Sequence, residues 1–169
     1  MKRVALNRDW QFKYGPGAPG VKESNDWTSV DLPHDAAIGL PRNAAAIGGA
    51  SNAFYPGCNC IYEKEIDVPA AWLGKVVLLE LEGVYMNAVV TINQQLAGRH
   101  PYGYTTFHCD LTPWLKEGMN KLHIEANNGG LANTRWYSGS GLYRPVSLRF
   151  GEMIRVGPWD VAVTTPGAR

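Results

Sequence analysis

The sequence predicts an all-β domain with one short connector helix. Three observations carry this. Short apolar runs alternate with polar residues at the two-residue period of a half-buried strand. Gly (19) and Pro (11) recur between those runs and punctuate them as turns. Aromatic residues reach 11%, a composition suited to strands.

The elements follow in order. The first sixty residues are irregular: "GPGAPG" (15–20) and "GLPRNAAAIGGASN" (39–52) read as long loops. "KVVLLELEGV" (75–84) is a Val/Leu-rich strand bounded by Gly74 and Gly83. "NAVVTINQQ" (87–95) is a second, and Asn93-Gln94-Gln95 turns it into "LAGRH". In "DLTPWLKEGMN" (110–120) Thr112 can cap a helix, Pro113 suits its first turn and Gly118 its end. "NKLHIEAN" (120–127) alternates Leu122, Ile124 and Ala126 against Lys121, His123 and Glu125. "PVSLRF" (145–150) and "WDVAVT" (159–164) are the last strands expected, and "TTPGAR" (164–169) reads as a linker. Tyr85 and Trp114 are expected to anchor the core, and Glu63, Glu80 and Glu125 to face outward.

The chain has 169 residues, one domain of ordinary size that can bury most of its unfolded surface without staples. Hydrophobic residues at 45% against 18% charged mark it as globular. A net charge of +1 gives no footprint for nucleic acid or an anionic membrane. No apolar run is long enough to span a bilayer. "MKRVALNRDWQF" carries no apolar stretch of a signal peptide. The compartment stays open: cytoplasmic if this start is native, periplasmic or secreted if a signal was removed.

Cys58 and Cys60 form a C-x-C, with His108-Cys109 elsewhere. Structural zinc spacings are absent and the cysteine count is odd. No metal and no cofactor are expected, only reduced and mostly buried thiols. Ser138 or Ser140 with His34 and Asp35 could be drawn as a triad, but no G-x-S-x-G elbow supports it. "DLPHD" (31–35) carries His34 and Asp35 on a compact turn, either a self-satisfied polar turn or a ligand contact.

"NTRWYSGSGLYR" (133–144) sets Arg135, Trp136, Tyr137, Tyr143 and Arg144 around a Ser/Gly hinge. Arg135 offers a planar fork of donors. Trp136 and Tyr137 offer flat apolar faces on which sugar C–H patches can stack. The competing possibility is that Trp136 and Tyr143 pack in the core and the arginines hold the turn.

Four blocks in order, "DLPHD" (31–35), "LEGVYMNAVVTIN" (81–93), "HPYGYTTFHCDLTPWL" (100–115) and "RWYSGSGLYR" (135–144), resemble the amino-terminal sugar-binding domain of glycoside hydrolase family 2. That family includes β-galactosidases, β-glucuronidases and β-mannosidases. The resemblance runs from "LNRDWQF" to "WDVAVTTP" and is nearest to the β-galactosidase type. A departure lies at "GCNCIYEKEI" (57–66), where Cys60 and Ile61 stand near the aromatic that relatives carry.

The resemblance implies a jelly-roll β-sandwich, galactose-binding-domain-like, over 1–155. It implies that 156–169 leads toward an immunoglobulin-like domain and then a TIM barrel, so the chain is expected to be a piece of a longer protein. The barrel would hold both catalytic glutamates, one in an Asn-Glu pair that this sequence lacks. The chain alone is therefore expected to be inactive and to contain no catalytic residue. Its parent would hydrolyse terminal β-glycosides with retention. Arg135 and Trp136 are the substrate-binding candidates, with His34 and Asp35 beside them. The alternative is a structural or autonomous carbohydrate-binding module without an active-site role.

Overall fold

A computed structural model describes residues 1–130, 134–157, 160–165 and 167. Among these residues the chain folds as the predicted β-sandwich, with two antiparallel sheets and almost no helix. The strands are β1 (Lys2–Ala5), β2 (Trp10–Tyr14), β3 (Thr28–Val30), β4 (Asn59–Val68), β5 (Val76–Leu81), β6 (Ala88–Ile92), β7 (Gln95–His100), β8 (Phe107–Asp110), β9 (Gly118–Asn127) and β10 (Val146–Gly151). One sheet has the order β1-β10-β5-β8, the other β3-β2-β4-β9-β6-β7.

The long antiparallel pair β4–β9 is the spine of the larger sheet, in continuous register from Asn59↔Asn127 to Val68↔Gly118. Its alternation is the one the sequence spells: Leu122, Ile124 and Ala126 are fully buried, and the residues between them face out. Across the core, Leu79, Leu81 and Leu148 of the smaller sheet meet Tyr62, Ile124 and Val90 of the larger. Interdigitation of two such inner faces is what stabilises a sandwich. Between β6 and β7, Asn93 and Gln94 both adopt positive φ, the backbone of a tight two-residue hairpin.

Several expectations are corrected. The short connector helix expected between Thr112 and Gly118 is a three-residue 3-10 turn, Thr112–Trp114. Asp110 Oδ1 accepts the Thr112 N–H at 2.9 Å, and Thr112 Oγ1 accepts from Val77 N at 2.9 Å instead of capping. Asn120 then bonds Lys116 N, Lys116 O and Gly118 O, and Gly118 opens β9 at φ +81° instead of closing a helix. Trp114 is 40% exposed and is no core anchor, whereas Tyr85 is buried. Residues 160–165 form no strand, and Trp159 lies outside the described residues. In the segment expected to be irregular, β1, β2 and β3 form.

Glu80 also departs from expectation: it is buried. It sits on the face of β5 turned away from the core, where every residue of β5 is nonetheless covered. Arg149 Nε and His108 Nε2 bond one carboxylate oxygen, the latter at 2.9 Å, and Ser147 Oγ donates to the other at 3.2 Å. Arg3 adds a second guanidinium. Burial pushes the Glu80 carboxyl up, but the hydrogen bonds from Arg149 and His108 and the charges of Arg149 and Arg3 together outweigh it. The net pKa lies below the usual value.

The three cysteines are free and buried, Cys58 and Cys60 with sulfurs 3.7 Å apart on β4 and its entry, Cys109 on β8. Burial pushes the Cys109 thiol up to about 12.

Two expected outcomes follow from this packing. Leu111 is fully buried, so Leu111→Ala should cost about 2–5 kcal/mol in thermal or denaturant unfolding, with Trp114→Ala costing clearly less. Because Glu80 is more acidic folded than unfolded, its contribution is complete above the unfolded pKa and is lost as pH falls through the folded one. Unfolding of the native chain should steepen in acid below about pH 4.5, and Glu80→Gln should flatten that dependence while lowering stability at pH 7.

Candidate functional site

The registers place four connections at one end of the sandwich. The start of β4 pairs with the end of β9 (Asn59↔Asn127). The end of β5 pairs with the starts of β8 and β10 (Leu81↔Phe107, Val146↔Leu81). The start of β6 pairs with the end of β7 (Ala88↔His100). The segments 31–58, 82–87, 101–106 and, among the described residues, 128–130 with 134–145 therefore converge there, and every sequence-predicted site residue lies on the first or the last of them.

The carboxylate of Asp35 ties two of these segments together. Its Oδ1 accepts from Ala37 N and Ser140 N, both at 3.0 Å, and its Oδ2 accepts from the Tyr137 hydroxyl at 2.6 Å. Burial and that bond to Asp35 push the Tyr137 phenol far up, so it stays a donor. The backbones interlock beside it: His34 N donates to Leu142 O at 2.8 Å and Ala36 N to Ser140 O at 2.9 Å. Gly139 and Gly141 take φ of +70° and +104°. A β-carbon on Gly139 would meet Asp35 Oδ2 at 2.8 Å, and one on Gly141 would collide with the Tyr62 hydroxyl. These two glycines are demanded by both conformation and close approach.

His34 Nδ1 lies 2.8 Å from the Tyr62 hydroxyl. Burial lowers its pKa against the opposing charge of Asp35, which keeps the ring neutral near pH 7. Ser140 Oγ accepts from Asn128 Nδ2 at 2.9 Å. The drawn triad does not assemble: among the described residues neither Ser138 nor Ser140 bonds His34. Nor do the described residues gather three or more His, Cys, Asp or Glu able to hold a metal. His34 and Asp35 are engaged with the protein's own groups, the self-satisfied form of their turn.

Arg135 is different. Its side chain is exposed, and among the described residues it makes no hydrogen bond or ion pair. Trp136 is 59% exposed and its indole N–H donates to the Tyr104 hydroxyl at 2.9 Å. Thr134 Oγ1 closes the tip on Trp136 O at 2.7 Å. Asn133, expected to help the chain turn, lies outside the described residues. Tyr143 is held inward, its hydroxyl donating to Gly103 O at 2.7 Å, with Arg144 over its ring at 5.3 Å.

Sequence reasoning missed the partner segment. Tyr102, Gly103 and Tyr104 lie in a quoted block, yet nothing in their spacing showed that Tyr85 would stand beneath them. Tyr104 packs edge-on to Tyr85 at 5.2 Å and to Tyr102 at 5.6 Å. A β-carbon on Gly103 would collide with the Tyr85 ring. The cleft lined by Asn52, Asn128, Thr134 and Ser138 holds about 20 Å³, against about 300–1,000 Å³ for a small-molecule pocket. Among the described residues this end thus presents an open face bearing a guanidinium and aromatic rings.

The fold is that of a two-sheet β-sandwich domain, with aromatic faces and a guanidinium on one loop end. At family level, residues 4–150 match the model of the glycosyl hydrolases family 2 sugar binding domain, and the chain belongs to that family. It is 41% identical over 169 residues to the β-galactosidase BoGH2A of Bacteroides ovatus, covering 97% of this chain and 20% of that protein. It is 30% identical to a β-glucuronidase of Bacteroides fragilis, covering 97% of this chain and 22% of that one. Among solved structures, a β-glycosidase from Bacteroides vulgatus superposes with a TM-score of 0.79 at 33% identity, over 89% of this chain and 20% of that chain. The chain thus spans about a fifth of the length of these relatives. No helix among the described residues is long and apolar enough to cross a membrane.

The Asp35 clasp yields a stability test. Asp35→Ala leaves two backbone N–H groups and a phenol without their acceptor. A lost charged hydrogen bond typically costs about 1.5–3 kcal/mol. The variant should lose at least about that much unfolding free energy, seen by calorimetry as a lower melting temperature.

Proposed function

We propose that this chain is the non-catalytic sugar-binding domain of a longer retaining β-glycosidase of β-galactosidase type, and that it lends Arg135 and Trp136 to an active site built by a catalytic barrel. The observation that carries this reading is the contrast within one loop end. Asp35, Tyr137, Ser140 and Tyr143 are spent on internal bonds, while Arg135 stands exposed with no partner among the described residues. A guanidinium left free on a rigid frame is a donor awaiting a group from elsewhere, and sugar hydroxyls accept from such a fork.

Family membership and the relatives' names support a glycosidase parent. Retention needs two carboxylates held about 5–5.5 Å apart as acid/base and nucleophile. This proposal places both on the barrel, since the chain has no Asn-Glu pair. Residues 156–169 are then the passage toward an immunoglobulin-like domain and the barrel. Chain by itself binds and positions; it does not hydrolyse. A second reading, a structural or free-standing carbohydrate-binding module, draws on the exposed face of Trp136.

The two readings part experimentally. A single donor on an open face cannot offset the entropy of capturing a monosaccharide, so calorimetry of the 169-residue chain with galactose should show no binding tighter than millimolar. In the longer enzyme, Arg135→Ala should lower kcat/KM on an aryl β-galactoside by about tenfold or more, with the melting temperature unchanged. Unchanged kinetics would return the loop to a purely structural role.

A further inference from the structure

The loop end carries more aromatic surface than one sugar ring can cover. Tyr102 is 54% exposed and Trp136 59% exposed, and Tyr104 stands between them, touching the first ring-to-edge and holding the second through its hydroxyl. Their underside is fixed. Tyr85 is buried against Tyr104, and Gly103 lies so close on the Tyr85 ring that no side chain fits there. The Tyr143 hydroxyl pins Gly103 O from the other segment. Two connections that are far apart in sequence, 101–106 and 134–143, are thus riveted into one ledge.

The Trp136 side chain has one polar atom, and it is already bonded to Tyr104. The exposed indole therefore offers apolar ring surface. Such a face suits the apolar C–H side of a pyranose and gives no preference to a charged ligand. Fixed aromatic rings also lose little entropy when a ligand stacks on them. A monosaccharide covers one ring face. A ligand that uses both exposed faces, with a whole Tyr104 ring between them, must contain at least two sugars in a row.

We infer that Tyr102, Tyr104 and Trp136 form a stacking ledge for an extended β-linked glycan, with Trp136 under the sugar next to Arg135 and Tyr102 under the following one. This deepens the proposed function, since it takes the Arg135 end as the anchored end of the ligand. It adds Tyr102 as a specificity-determining residue that reads ligand length.

The test is a length series on the 169-residue chain: galactose, then β-linked galacto-oligosaccharides of two, three and four residues, followed by tryptophan fluorescence and by ligand-observed NMR. The dissociation constant should fall by at least about tenfold between the mono- and the trisaccharide. Tyr102→Ala should abolish that fall and Tyr102→Phe should keep it, since the stacking face and not the hydroxyl is invoked. Both variants change an exposed side chain, and an unchanged melting curve verifies that they fold. Binding that is equally weak at every length, absence of binding at any length, or a fall that survives Tyr102→Ala would each overturn the ledge. None of these outcomes touches the Arg135 reading, which is judged by Arg135→Ala kinetics on an aryl galactoside too short to reach Tyr102. Conversely, unchanged Arg135→Ala kinetics with a steep, Tyr102-dependent series would remove that reading and leave the ledge standing.

Discussion

Everything at the loop end hangs on one carboxylate. Asp35 accepts from Ala37 N, Ser140 N and the Tyr137 hydroxyl, and so joins the long connection into β4 to the connection into β10. Without it, the backbone bonds of 34–36 to 140–142 would have no lateral support, and the glycines at 139 and 141 would be free to leave their left-handed conformations. Loops on a sandwich are ordinarily its most mobile parts. Here two of them are joined by two backbone hydrogen bonds as well as by Asp35, which gives the exposed tip at 134–136 a fixed base.

The same logic recurs on the opposite layer with different chemistry. Glu80 is buried, but four groups converge on it: Arg149, His108, Ser147 and Arg3. A buried carboxylate is tolerated only when its lone pairs are filled. The outer face of β5 is thereby closed by long polar side chains instead of apolar ones. On the larger sheet, Glu63 and Glu125 do face outward as expected and flank His123 at 3.1 and 3.3 Å. The contrast between Glu80 and Glu63 follows their surroundings: β5 is covered at every position, whereas β4 leaves Glu63 and its neighbours Lys64 and Glu65 only partly buried or exposed.

That contrast marks the limit of what was legible in the sequence. The sandwich was legible because its signals are local: the period of two in 120–127, the turn at Asn93-Gln94, the Gly-bounded run at 75–84. The first strands were not, because β1 to β3 have three to five residues each and lie among Gly- and Pro-rich loops that mask any period. The connector helix is shorter than expected for a related reason: Asp110 and Asn120 satisfy backbone groups that a longer helix would have used, and Thr112 is bonded to Val77 on β5. At the candidate site, residue types singled out Arg135 and Trp136, which the structure leaves exposed, and the glycines announced sharp turns. What spacing could not announce was the pairing of Asp35 with Tyr137, Ser140 and Ala37, or the meeting of Tyr104 with Trp136. Contacts across about a hundred residues are products of topology, and they appear only once the strands are ordered.

The cysteines give the molecule a built-in reporter. Cys58 and Cys60 line the inner side of the larger sheet's spine and Cys109 that of the smaller sheet, each nearly inaccessible, with no disulfide among them. A thiol reagent reaches Cys60 and Cys109 only when the buried core opens, so its rate of reaction there is a clock on the opening of the sandwich. Cys58 lies on the connection into β4, with its N–H on Ser140 Oγ, and reports on the loop end as well. A single cysteine placed on the outer surface would therefore accept a dye or a spin label without removal of the native three.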